Sequence, residues 1–356
     1  MRKHIMNRTF LIVIYVLLFQ CILALGNSVE ADLNKAYGKA VAGDIRPILS
    51  VLDTVEDVNQ SEFTALREKY EKRFITADER IEFDDPFITS LYNLYTTYWR
   101  SSLLNPKSEK KARKILVSGL NRLAKSEGYK ETLLESLMGP NINKLETFII
   151  KTAKEKGYYL IMGRTIPLRE LKIWKKEEQE VFLVELPSDS FSVNVVFAQE
   201  FLSKGWLGYA TFNRSSTGGW YKGDTIYCVG GKPGDNNERF RVSILGHEGR
   251  HISDQKLYGK MDSWIREYRA KLTELLLAEK TFWNLLNGFK NEAQDDISIP
   301  HAYASYRIVS DLIYELTQEQ GAKPFQTFSF EDYSKERLKD AMEHILGKNT
   351  KSLEAK

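Results

Sequence analysis

The sequence predicts an α+β protein in which a helical N-terminal region precedes a small mixed β-sheet and a set of C-terminal helices. Three observations carry this prediction. From Ala31 to about Lys156 the chain is charged and helically patterned, with few strand signals. From Gly157 to about Val229 it holds short runs of branched and aromatic residues between glycine-rich turns. Beyond Gly230 the helical pattern returns. Expected boundaries are a leader over 1–26, a helical N-terminal region over 27–157 and a second domain over 158–350.

The leader is read first. Arg2, Lys3 and Arg8 form a positive segment, and Phe10 to Leu25 is an apolar run of 16 residues with Gln20 its only strongly polar member. Ala24-Leu25-Gly26 supplies small residues where a signal peptidase cuts, so export with cleavage before Asn27 is expected. The run is shorter than the roughly 20 residues that span hydrocarbon, which makes an uncleaved anchor the weaker alternative. Removing the leader takes Cys21 with it and leaves Cys228 alone, a small buried hydrophobe without a disulfide partner.

In the N-terminal region, Phe87, Leu91, Leu94, Tyr95, Tyr98 and Trp99 recur at spacings of three and four, marking one buried helix face. Residues 107–126 and 130–155 repeat the theme around a break at Gly139-Pro140. Strands are expected at Tyr158–Met162, Glu180–Glu185, Ser192–Ala198, Gly205–Tyr209 and Thr225–Val229. Helices follow over 237–256, 262–290, 300–319 and 329–347, with Asn236 or Asn237 as a cap and Glu238 in the first turn.

Composition limits the function. The chain has 42% hydrophobic and 28% charged residues, so it buries a core. Without Arg2, Lys3 and Arg8 it carries 48 basic against 48 acidic residues, and such a balance creates no global field for nucleic acid or an anionic membrane.

The sharp signal is His247-Glu248-Gly249-Arg250-His251. One helical turn separates the two histidines, so both imidazoles sit on one face and can reach one Zn²⁺. Glu248, offset by one residue, lies beside the ion and is free to take a proton from water. This pentapeptide resembles the H-E-x-x-H helix of the zincin metallopeptidases, and the order of sheet, motif helix and further helices resembles theirs over roughly 160–300. The resemblance implies zinc-dependent hydrolysis of a peptide or protein substrate, with Thr225–Val229 close to the edge strand that holds the substrate. Two departures stand out: Arg250 occupies a position usually uncharged, and Asp254 stands where metzincins approach their third histidine. That leaves the gluzincin pattern, in which a glutamate of the next helix is the third ligand.

Within 262–290, Glu267 and Glu274 lie on one face. Glu267 fits a motif helix that ends near Asp254, and Glu274 one that continues to Tyr258; Glu267 is preferred and Glu274 is the alternate. Asp254 is expected to orient a motif histidine, and His301 to stabilise an oxyanion beside Glu248 as the base. The competing class is a non-catalytic helical interaction protein with a structural zinc site or no metal.

Overall fold

The computed structural model describes residues 32–33, 36–54, 61–76, 79–130, 141–215, 217–234, 237–318 and 327–355. The leader over 1–26 and the Gly139-Pro140 break lie outside them. The chain divides into two units, Met1–Lys175 with Phe201–Ser216, and Lys176–Glu200 with Thr217–Lys356. The division between the units falls within two long strands, at Lys175/Lys176 and Glu200/Phe201.

The helices of the first unit include α1 (Arg46–Asp53), α2 (Ser61–Tyr70), α3 (Pro86–Leu104), α4 (Glu109–Ser126) and α5 (Asn141–Glu155). A π-helical turn, Glu71–Thr76, extends α2. Asp85 starts α3: its carboxylate accepts the N–H groups of Phe87 (2.8 Å) and Ile88 (3.0 Å), and Pro86 occupies the first turn, where its missing donor is harmless. The apolar face then turns inward, burying Phe87, Leu91, Tyr95, Tyr98 and Trp99. Trp99 Nε1 donates to the Arg169 carbonyl at 2.8 Å, tying α3 to the strand that follows.

The strands are β1 (Tyr159–Thr165), β2 (Leu168–Leu186), β3 (Asp189–Lys204), β4 (Gly219–Lys222) and β5 (Thr225–Val229), in the sheet order β1-β2-β3-β5-β4. The charged stretch Lys175–Glu180 lies within β2, so this strand is far longer than the Glu180–Glu185 expected. Residues 205–209, expected as strand, belong instead to the short helix α6 (Trp206–Thr211). Gly205 at φ 93° ends β3, and Glu170 Oε1 accepts the Trp206 N–H at 3.1 Å, turning the chain into a helix.

In the second unit β3 pairs with β5 in parallel, Val195 beside Ile226, and β4 pairs with β5 antiparallel, Tyr221 beside Ile226. The edge is therefore β4, and β5 is interior. Gly223, at φ 60°, allows the tight return that lets four residues form this outer strand. Cys228 is a buried free thiol on β5, as its sequence context predicts.

A short turn of helix, Glu238–Phe240, is capped by Asn237, whose side chain accepts the Phe240 N–H at 2.9 Å. It continues through a π-helical turn, Arg241–Gly246, into the motif helix α7 (His247–Tyr258). Then come α8 (Ser263–Leu277), α9 (Phe282–Glu292), α10 (Pro300–Thr317) and α11 (Lys335–Glu354). Val184, Val195, Phe197, Ile226, Leu245 and Ile252 form the core that seats α7 on the sheet. A second core joins α8 to α11 through Leu272, Phe282, Leu312 and Met342.

The single helix expected over 262–290 is two helices. Glu238 holds the turn between them: its carboxylate accepts the N–H groups of Glu279 (2.7 Å), Lys280 (3.0 Å) and Thr281 (3.0 Å). Partial burial raises its pKa, but these hydrogen bonds outweigh burial and hold it at about 2. Among the described residues no helix is long and apolar enough to cross a membrane.

Candidate metal centre

The π-helical turn delivers the chain to His247, and the α-helical spacing does the rest. His247 and His251 stack edge to face with ring centroids 4.8 Å apart. Gly249 faces the sheet, where an added Cβ would lie 2.6 Å from Val184 Cγ1, so the residue between the motif polar groups is held to the smallest side chain. Gly259, at φ 66°, ends α7 and the chain returns as α8.

On that return Glu267 meets both histidines. Its Oε2 lies 3.4 Å from His247 Nε2 and its Oε1 lies 3.5 Å from His251 Nε2. One donor atom from each of the three residues falls within 4.8 Å of the others. Donors on a tetrahedral ion with bonds of about 2.0–2.1 Å stand about 3.3–3.4 Å apart; the two contacts are close to that length, one through each oxygen of Glu267.

The protonation pattern points the same way. His247 Nδ1 is 2.6 Å from Glu274 Oε1, and a ring nitrogen facing a carboxylate carries the proton. His247 Nε2 faces a second carboxylate, Glu267, so the ring stands between two acids and that side needs positive charge, supplied by a second proton or by a cation. Glu267 Oε2 is buried, with His301 Nδ1 at 3.2 Å and His247 Nε2 at 3.4 Å, and the buried His251 Nδ1 makes no hydrogen bond. The donor set thus fits a divalent cation.

Electrostatics reports this acid-rich surrounding. Burial disfavours the His247 imidazolium, but the charge of Glu274 and hydrogen bonding to Glu267 and Glu274 override it and raise its pKa well above the ordinary value. Burial likewise disfavours the Glu267 carboxylate, yet hydrogen bonds to His247 and His251 hold its pKa well below the usual range. Glu248 is buried beside the histidines, and desolvation raises its pKa despite their opposing charge.

The positions expected from sequence separate into three groups. His247, Glu248, His251 and Glu267 are together, with Glu274 behind His247 instead of beside Glu267. His301 is at the mouth, its Nδ1 3.2 Å from Glu267 Oε2 and its side chain 65% exposed. Asp254 is elsewhere: the expectation that it orients a histidine is corrected, because it accepts from Arg269 Nε (2.8 Å) and Nη2 (3.0 Å). Glu274 holds the histidine in its stead.

Tyr221 escapes a reading of the sequence, and so does the structural role of Arg250. Tyr221, on the edge strand, packs its ring 5.4 Å from that of His251, and its hydroxyl accepts from Arg266 Nη1 at 3.1 Å. Arg250, the charged residue within the motif, is buried and donates to Thr273 Oγ1 at 3.0 Å, with Asp254 3.7 Å away. The signal for Arg250 was its acid one helical turn on; Tyr221 had none beyond a two-residue turn before β5.

No family model, curated protein or solved structure matches this chain.

Proposed function

We propose that this protein is a zinc-dependent peptidase of the zincin class and gluzincin type. The observation that carries the reading is the convergence of His247 Nε2 and His251 Nε2 on the Glu267 carboxylate at 3.4 and 3.5 Å. Two imidazoles and one carboxylate form a donor set characteristic of hydrolytic zinc, which leaves a further coordination position open. A zinc ion held by His247, His251 and Glu267 would act as a Lewis acid and lower the pKa of water at that position.

The remaining chemistry belongs to the chain. Glu248, its pKa raised by burial, accepts the proton of the attacking water and returns it to the leaving amine. Glu274 fixes the tautomer and orientation of His247. His301, exposed and 3.2 Å from Glu267, would donate to negative charge developing on the substrate carbonyl. The edge strand β4 offers an unpaired backbone ladder to an extended peptide, with Tyr221 beside His251. Export, inferred from residues 2–26, places the substrate outside the cytoplasm.

The test is Glu248→Gln, which preserves shape and polarity but removes the base. With zinc loaded and circular dichroism unchanged, it should lose about 10²–10⁴-fold of the turnover of a general peptide substrate. Equal turnover by both proteins would overturn the mechanism, and absence of peptidase activity from the zinc-loaded wild type across a peptide library would overturn the function.

A further inference from the structure

The first unit contains a cavity of about 720 Å³ lined by residues of α3 and α4, the turn after α2, and Tyr209 of α6. Its charge is one-sided. Among the described residues, Arg73, Arg80, Arg100 and Arg122 line it against one carboxylate, Glu79. That carboxylate is already committed, accepting from Arg73 Nε at 3.2 Å. Arg73 is further held by its Nη1, which donates to the Tyr209 carbonyl at 2.7 Å, and by the Phe212 ring, 3.7 Å beneath its guanidinium.

The other three guanidiniums form no ion pair with any described residue. Arg122 donates only to Ser118 Oγ, at 3.3 Å. Like charges around one concave wall repel each other and focus a positive potential into the space between them. A ligand with at least two negative charges removes that repulsion. The planar guanidinium fork matches phosphate oxygens two at a time, which distinguishes it from a lysine wall that recognises only charge.

The rest of the lining is suited to an organic moiety. Asn93, Thr96 and Thr97 present polar groups, whereas Leu94, Leu123 and Tyr209 present apolar surface. The wall between α3 and α4 is close-packed: a Cβ on Gly119 would lie 2.5 Å from Leu94 Cδ2. The volume falls in the range of about 300–1,000 Å³ that small-molecule sites occupy. We infer that this cavity binds a small organic phosphate of nucleotide size bearing two or more negative charges. The inference rests on the arginine-lined cavity alone and is independent of the histidine cluster.

The test uses the full chain after EDTA treatment, so that no metal bridges ligand and protein, and titration calorimetry with ATP, inorganic pyrophosphate and citrate as probes. ATP should bind saturably at one site per chain, pyrophosphate more weakly, and citrate at least about tenfold more weakly than ATP. Arg100→Ser/Arg122→Ser should weaken ATP by at least about tenfold. Arg80→Ser/Arg122→Ser, which changes two exposed side chains, is the companion variant in case the first does not fold. Arg100→Lys/Arg122→Lys should fall between wild type and serine, since charge survives and the fork does not. Absence of saturable ATP binding, unchanged affinity in a folded serine variant, or citrate binding as tight as ATP would each overturn the inference.

Discussion

Two buried charge clusters, one in each unit, differ in how their charge is balanced. In the first unit Arg169 and Glu146 are both buried and paired with each other, one cation to one anion. In the second, the carboxyls of Glu248, Glu267 and Glu274 are buried around the imidazoles of His247 and His251. The first cluster is complete within the chain. The second carries more acid than base, and in the metal-free protein it compensates by raising the pKa of His247. Burial is therefore not what separates architecture from a site; the sign left over is. The Arg250–Asp254–Arg269 group, just behind the motif helix, holds α7 to α8.

Breaking the first cluster should have the largest effect on stability. Glu146→Ala leaves a buried guanidinium without a partner, which costs about 3–5 kcal/mol. Thermal denaturation should show a large fall in Tm with zinc content per folded chain unchanged. Retention of full stability would mean that this pair is as open as the second cluster and would break the comparison.

The second prediction sharpens it through pH. The raised pKa of His247 makes a contribution to metal-free stability that is complete below its ordinary value of 6.5 and is lost as pH rises through the folded value. The lowered pKa of Glu267 makes one that is present above its ordinary 4.5 and is lost as pH falls through the folded value. The cluster's contribution should therefore be greatest between pH 4.5 and 6.5. Zinc affinity should behave in the opposite sense on the alkaline side, rising with pH as His247 gives up its proton. Denaturation and zinc titration across pH 4 to 9 check both, and parallel curves would contradict the assignment.

The smallest effect concerns Glu238. Its carboxylate accepts backbone N–H groups of the turn before α9, so Glu238→Ala should lower stability by about 0.5–1.5 kcal/mol without altering zinc binding. A change in metal affinity would show that the α8–α9 junction bears on the cluster.

These contrasts also explain what the sequence made legible. His247, Glu248 and His251 are related by the pitch of one helix, so their juxtaposition follows from local geometry. The aromatic stripe of α3 is legible for the same reason. The third acidic position is not local. By path length, a motif helix continuing to Tyr258 favoured Glu274, and α7 does continue to Tyr258, yet Glu267 is the residue between the histidines. The return of α8 is set by the reversal at Gly259 and by Asp254–Arg269 and Arg250–Thr273 contacts, none of which periodicity contains. Edge strand β4 is only four residues long, too short for an alternation signal. Gly205–Tyr209 looked like a strand because its aromatic residues are β-formers, but Glu170, distant in sequence, supplies the hydrogen bond that starts a helix there.

The central claim is that the charge left over in the second cluster is balanced by one metal ion on His247, His251 and Glu267. It is tested most directly by elemental analysis of wild type, Glu267→Ala and Glu274→Ala after equilibration with zinc and removal of the excess, with folding verified by circular dichroism. The account predicts one zinc per wild-type chain, near-complete loss in Glu267→Ala, and partial weakening, of about 10–100-fold in affinity, in Glu274→Ala. Full zinc retention by Glu267→Ala, or a folded wild type that binds none, would contradict it.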